Sequence, residues 1–96
     1  MNNDPLIEDQ QNGNSGRYRL VVDGLESEMT YVRDGDRMTI EHTYVPDAQR
    51  ERGLGLALVS RAVKDARAQG LKIVPVCSFA AAQFARHPEW RDVLAS

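Results

Sequence analysis

Arg50, Gly53 and Gly55 form the pattern Arg-x-x-Gly-x-Gly, followed by Ala57. Glycine costs about 1 kcal/mol relative to alanine inside a helix, so a pair of them at a helix start needs a reason. A strand-to-helix turn gathers unpaired backbone N–H groups, and the helix dipole makes that spot positive. A phosphate is the natural guest, and glycine lets it approach the backbone itself. Arg50 and Arg52 flank the turn and can add charge-assisted bonds. Arg52, next to the glycine, is the better placed of the two. A mononucleotide P-loop is excluded, because Leu56 and Ala57 stand where it needs Lys and Ser/Thr. The dinucleotide fingerprint needs three spaced glycines and is excluded as well.

Three further residues have types suited to chemistry. His42 alternates with Met38, Ile40 and Tyr44, which puts it on an apolar strand face. Imidazole there is more often structural than catalytic, yet it accepts protons near neutral pH. Glu41 is the other candidate base, and strict alternation sends it to the opposite face. Cys77 ends the apolar run "LKIVPVC" just before a helix. A buried free cysteine behaves as a small hydrophobe, but a helix N-terminus lowers a thiol pKa and favours thiolate. Ser78 reads as the N-cap of that helix. No metal site is expected.

The elements that carry these residues follow from periodicity. "RYRLVVD", "SEMTYVR" and "RMTIEHTYV" alternate with period two, separated by Asp23-Gly24 and Asp34-Gly35 turns. They predict a three-strand antiparallel meander. Pro46 ends the third strand. Leu56, Val59, Val63 and Ala66 then recur at helical spacing, with Arg61 on the solvated side and Gly70 at the C-cap. "LKIVPVC" reads as a buried strand parallel to the third, "SFAAAQFAR" as a second helix, and "EWRDVL" as a final turn holding Trp90 and Leu94. The order predicts an α+β fold: a meander, then helix, parallel strand, helix, in one mixed sheet.

Residues 1–16 are polar and predict a flexible arm with a short edge strand near Leu6 and Ile7; residues 17–96 form the domain. At 96 residues there is one core and no separate substrate domain. Twelve basic against fourteen acidic residues lack the basic footprint of a nucleic-acid binder. A single cysteine, no signal-peptide pattern and no apolar span of membrane length point to the cytoplasm and away from membranes.

The Arg50-x-x-Gly53-x-Gly55 pattern resembles the pyrophosphate loop of the GNAT superfamily of N-acetyltransferases. The blocks "EHTYVPDAQRERGLG" and "VPVCSFAAAQFARHPEW" are similar to those of its small single-domain members, with coverage from about Arg17 to Leu94. The resemblance implies acetyl-CoA as ligand, its pantetheine lying between two splayed strands. Main-chain groups of Thr43, Tyr44 and Val45 would then meet the pantetheine. Backbone N–H groups from Arg52 through Gly53, Leu54, Gly55 and Leu56 to Ala57 would hold the pyrophosphate. Cys77 and Ser78 would sit beside the acetyl end, with His42 or Glu41 as base and direct attack by an amine acceptor as the mechanism. Two departures stand out. The second helix has no tyrosine to act as general acid, and Gln83 stands where many relatives carry an aromatic. Asp23-Gly24 leaves no room for the two helices that wall the acceptor site in larger members, so the acceptor side is expected to be open. The acceptor's identity and the oligomeric state stay open. A CoA-binding module without transferase activity is the alternative function.

Overall fold

Alternating apolar residues build a sheet with one covered face. The computed structural model describes residues 6–95. Its strands are β1 (Ile7–Asn12), β2 (Ser15–Val22), β3 (Leu25–Asp34), β4 (Arg37–Tyr44) and β5 (Lys72–Pro75). The helices are α1 (Leu54–Gln69) and α2 (Ser78–Arg86), with 3-10 turns at Asp47–Arg52 and Pro88–Val93. The sheet runs β1-β2-β3-β4-β5 in space; the first four strands are antiparallel, and β5 lies parallel to β4. This is the mixed α+β architecture that the sequence predicts, the three-strand meander being extended by the edge strand expected near Leu6 and Ile7.

That strand is β1. Polar composition predicts a flexible arm over residues 1–16 with only a short edge strand near Leu6 and Ile7; the strand is longer than that, pairing with β2 from Ile7↔Leu20 to Asn12↔Ser15. Polar contacts hold it where apolar ones are few. The Tyr31 hydroxyl donates to Asp9 at 2.5 Å, and Arg61 donates to the Ile7 carbonyl at 2.9 Å. Residues 1–5 of the expected arm lie outside the described residues.

Tyr18, Leu20, Met29, Tyr31, Met38 and Ile40 project from β2, β3 and β4 into one cluster with Leu58, Val59, Ala62 and Val63 of α1. Ala80 and Phe84 of α2 join it, and Trp90 closes it edge-on to Phe84 at 5.4 Å. The opposite face carries Arg17, Arg19, Glu26 and Glu28, cross-linked by ion pairs. Two expectations for α1 change. Arg61 is half-buried, bonded to Asp65 at 3.0 Å, and Asp65 also accepts from the Tyr18 hydroxyl at 2.8 Å. Leu56 is 38% exposed and leaves the core stripe. Gly70 ends α1 at φ +69°, as its C-cap role requires.

Candidate active site

A single inserted residue sets the geometry of β4. Its pairing with β3 runs from Asp34↔Arg37 to Tyr31↔Ile40 and resumes at Thr30↔His42, so Glu41 is a β-bulge. Because side-chain period is two, one extra residue flips everything beyond it to the other face. Alternation therefore fails as a guide past Ile40. His42 pairs with Thr30 and Tyr44 with Glu28, so both share the open face. The expectation that they share the Met38 and Ile40 face is overturned. Thr43, opposite Met29, points to the helix side instead. Glu41 and His42 are both exposed, and Glu41 borders a shallow depression with Arg17 and Thr30.

The ladder between β4 and β5 stops at Ile40↔Pro75. There the Ile40 carbonyl accepts from two consecutive N–H groups, Val76 at 3.1 Å and Cys77 at 3.0 Å. The chain then turns into α2, while β4 continues to Tyr44. The two segments diverge from this vertex, and the edge of β4 past Ile40 faces a cleft instead of a strand.

The cleft has a volume of about 500 Å³. Thr43 and Val45 line it from β4, Arg50, Glu51 and Gly53 from the following turn, Gly55 and Leu56 from α1, and Phe79 and Gln83 from α2. The N-terminus of α1 opens onto it with no capping side chain and no acidic residue in its first turn. That end is a ready site for an anion. The two glycines turn out to have different reasons. Gly53 adopts φ +75°, a left-handed conformation that side-chain-bearing residues avoid. Gly55 is helical, and a Cβ there would sit 2.6 Å from Cζ of Phe79.

The arginines exchange their expected ranks. Arg50 lines the cleft, with Nε 3.0 Å from Asp47 and 3.4 Å from the Val45 carbonyl. Arg52 is not in the lining; its guanidinium bonds Asp23 in the β2–β3 turn at 2.5 Å. Among the expected backbone donors, Ala57 N–H is already committed to the Gly53 carbonyl at 3.0 Å. Leu54 is buried and anchors the turn in the core.

Cys77 is the N-cap of α2, which makes Ser78 the first helical residue and not the cap. The thiol is half-buried, with Sγ 3.5 Å from Thr43 Oγ1. Burial is the largest single influence on it and pushes its pKa up. The Thr43 hydroxyl and the N–H groups of Ala80, Phe79 and Thr43 together outweigh that, so the thiol titrates below its ordinary value. No side-chain cap bond forms at this helix start; the Phe79 and Ala80 N–H groups act on the sulfur as fixed partial charges of the first turn of α2, and the Thr43 N–H acts from β4.

Gln83, which sequence reasoning left outside the site, lines the cleft and is only 9% exposed. Its spacing of four from Phe79 is the signal that could have placed it there, since both then share one helix face. The structure thus brings Thr43, Val45, Arg50, Gly53, Gly55 and Leu56 to one cleft, with Cys77 bonded to Thr43 beside it. Glu41, His42 and Tyr44 fall on the other face of the sheet.

A family model described as GCN5-related N-acetyl-transferase matches residues 17–93. Among solved structures, the chain is similar to the NMR structure of a GCN5-like N-acetyltransferase candidate from Staphylococcus aureus. The identity is 31% and the TM-score 0.72, over 93% of this chain and 88% of that one.

Proposed function

This chain belongs to the GCN5-related N-acetyltransferase family, and from that premise we propose that it transfers the acetyl group of acetyl-CoA to an exposed primary amine. One observation carries the placement of the donor. The same cleft joins an unpaired strand edge, beyond Ile40 on β4, to the uncapped N-terminus of α1. A CoA thioester has the matching parts: a chain with amide groups for the strand edge and a pyrophosphate for the helix end. First-turn N–H groups and Arg50 would hold the phosphates. The main chain of Thr43 to Val45 would pair with the pantetheine, and the acetyl end would lie near the Ile40–Cys77 vertex.

In this reading the acceptor approaches from the open face, where the bulge has gathered Glu41 and His42. A neutral amine attacks the thioester carbonyl, forming the C–N bond. The C–S bond then breaks, and the amine proton passes to Glu41 or His42 as general base. CoA leaves as the thiolate and takes its proton from solvent, since α2 offers no tyrosine as donor. Cys77 lines the acetyl end in a positioning role. The open face has no helix over it among the described residues, which suits an amine displayed on a larger molecule. We place the enzyme in the cytoplasm, on its lone cysteine.

Calorimetry with CoA, acetyl-CoA, ATP and NAD tests the donor, with binding expected for the CoA compounds alone. Acetyl-CoA consumption with a lysine peptide tests the transfer, with loss expected in Glu41→Gln or His42→Ala. A protein that binds ATP or NAD and not CoA overturns the reading.

A further inference from the structure

Gln83 sits on α2 four residues after Phe79, so the two share the helix face that borders the cleft. The adjacent face sends Ala80 and Phe84 into the core. The backbone of Gln83 is engaged, its carbonyl lying 2.7 Å from Nδ1 of His87. Its side-chain carboxamide has no protein hydrogen-bond partner among the described residues, although the residue is nine-tenths buried. Two other polar atoms, Ser27 Oγ and Gln49 Oε1, are sealed in the core without partners. Gln83 differs from them. Its polar atoms are not sealed, and the residue borders the cleft.

A carboxamide carries two N–H donors and a carbonyl acceptor, so it is satisfied only by a partner that both accepts and donates. Phosphate oxygens at neutral pH only accept, and methylene chains do neither. A secondary amide does both through its C=O and N–H. The neighbouring lining of Val45, Leu56 and Phe79 suits the apolar spacers on either side of such an amide. We propose that Gln83 recognises a secondary amide of the donor's pantetheine arm, and thereby selects CoA thioesters over other ligands with the same phosphates. This rests on the reading of the cleft as the acetyl-CoA site.

The test compares CoA with adenosine 3′,5′-bisphosphate, which carries phosphates but no pantetheine, by calorimetry on the full chain. Wild type is expected to bind both. Gln83→Leu removes the donor and acceptor and is expected to weaken CoA about tenfold or more, while the bisphosphate binds as before. Gln83→Glu, close in shape but lacking the N–H donors, is expected to weaken CoA likewise, and it serves if the leucine variant does not fold. Unchanged CoA affinity in a folded variant overturns the proposal. So does an equal loss of both ligands in the two variants, which marks Gln83 as merely structural. If wild type binds neither ligand, the donor assignment itself falls, an outcome separate from failure of Gln83 alone.

Discussion

Opposing influences meet on the thiol of Cys77. Burial favours the neutral form, whereas the Thr43 hydroxyl and the N–H groups at the start of α2 favour the thiolate and prevail. Since Thr43 is the largest of the lowering causes, its removal is expected to raise the pKa. Iodoacetamide reacts with thiolate, so its rate climbs as pH rises through the thiol pKa. The pH midpoint of alkylation in wild type is expected below that of an ordinary cysteine thiol, and in Thr43→Val above the wild-type value. An equal or lower midpoint in Thr43→Val counts against this account. Bound CoA is expected to slow alkylation at every pH, if Cys77 lines the acetyl end. The arginines give a second prediction at this scale. Arg50 faces the cleft, while Arg52 is turned to Asp23. Arg50→Ala is therefore expected to weaken CoA binding by several-fold, and Arg52→Ala by less, measured by calorimetry at one salt concentration. Both side chains are more than half exposed, so solvent screening keeps either effect below that of a buried pair.

β4 shows what periodicity conveys and where it stops. From Met38 to Ile40 the alternation gives the right face for each residue. The bulge at Glu41 then breaks it, and no local signal marks the break, since the bulged residue is neither Gly nor Pro. The face of His42 was thus not legible, although its strand was. The extent of α2 was readable, because "SFAAAQFAR" is rich in alanine and ends at His87-Pro88, but its cap was not, since Cys77 holds the N-cap place expected of Ser78. The Arg-x-x-Gly-x-Gly block located the cleft, but not the division of labour between its glycines, which depends on a contact from a distant helix. That contact yields a prediction. Gly55→Ala puts a Cβ 2.6 Å from the Phe79 ring, so the ring, which lines the cleft, must shift. The variant is expected to lose about 1–3 kcal/mol of stability, the usual cost of overpacking, together with CoA affinity. In a Gly55→Ala/Phe79→Ala background the stability penalty of the alanine at 55 is expected to shrink, as read by urea denaturation. A penalty unchanged by removal of the ring places its origin elsewhere.

Across the described residues, the helices cover one face of the sheet, and its first strand has few apolar residues with which to hold on. Ile7 is the one large aliphatic side chain within β1. The strand's attachment instead runs through a polar chain that crosses the molecule. Arg61 on α1 lies over the Tyr18 ring at 5.6 Å, bonds Asp65, and donates to the Ile7 carbonyl. Tyr18 donates to the same Asp65, and burial first, then this bond, hold its hydroxyl far above the usual tyrosine range, so it stays a donor at all ordinary pH. Because the chain ties β1 to α1 and not merely to β2, β1 is expected to open with the core and not to fray alone. Arg61→Ala removes the link while leaving the β1–β2 ladder and the cleft residues in place. Its side chain is about one-third exposed, so the expected loss is about 1–2 kcal/mol, at the lower end for bonds to charged groups. Hydrogen exchange locates that loss. In wild type the ladder amides of β1 are expected to share the protection of β2, and in Arg61→Ala those of β1 are expected to exchange markedly faster while β3 and α1 follow only the small global change. Acceleration spread evenly over all five strands would show that Arg61 stabilises the fold as a whole and that β1 is held by its ladder and the Tyr31–Asp9 bond instead.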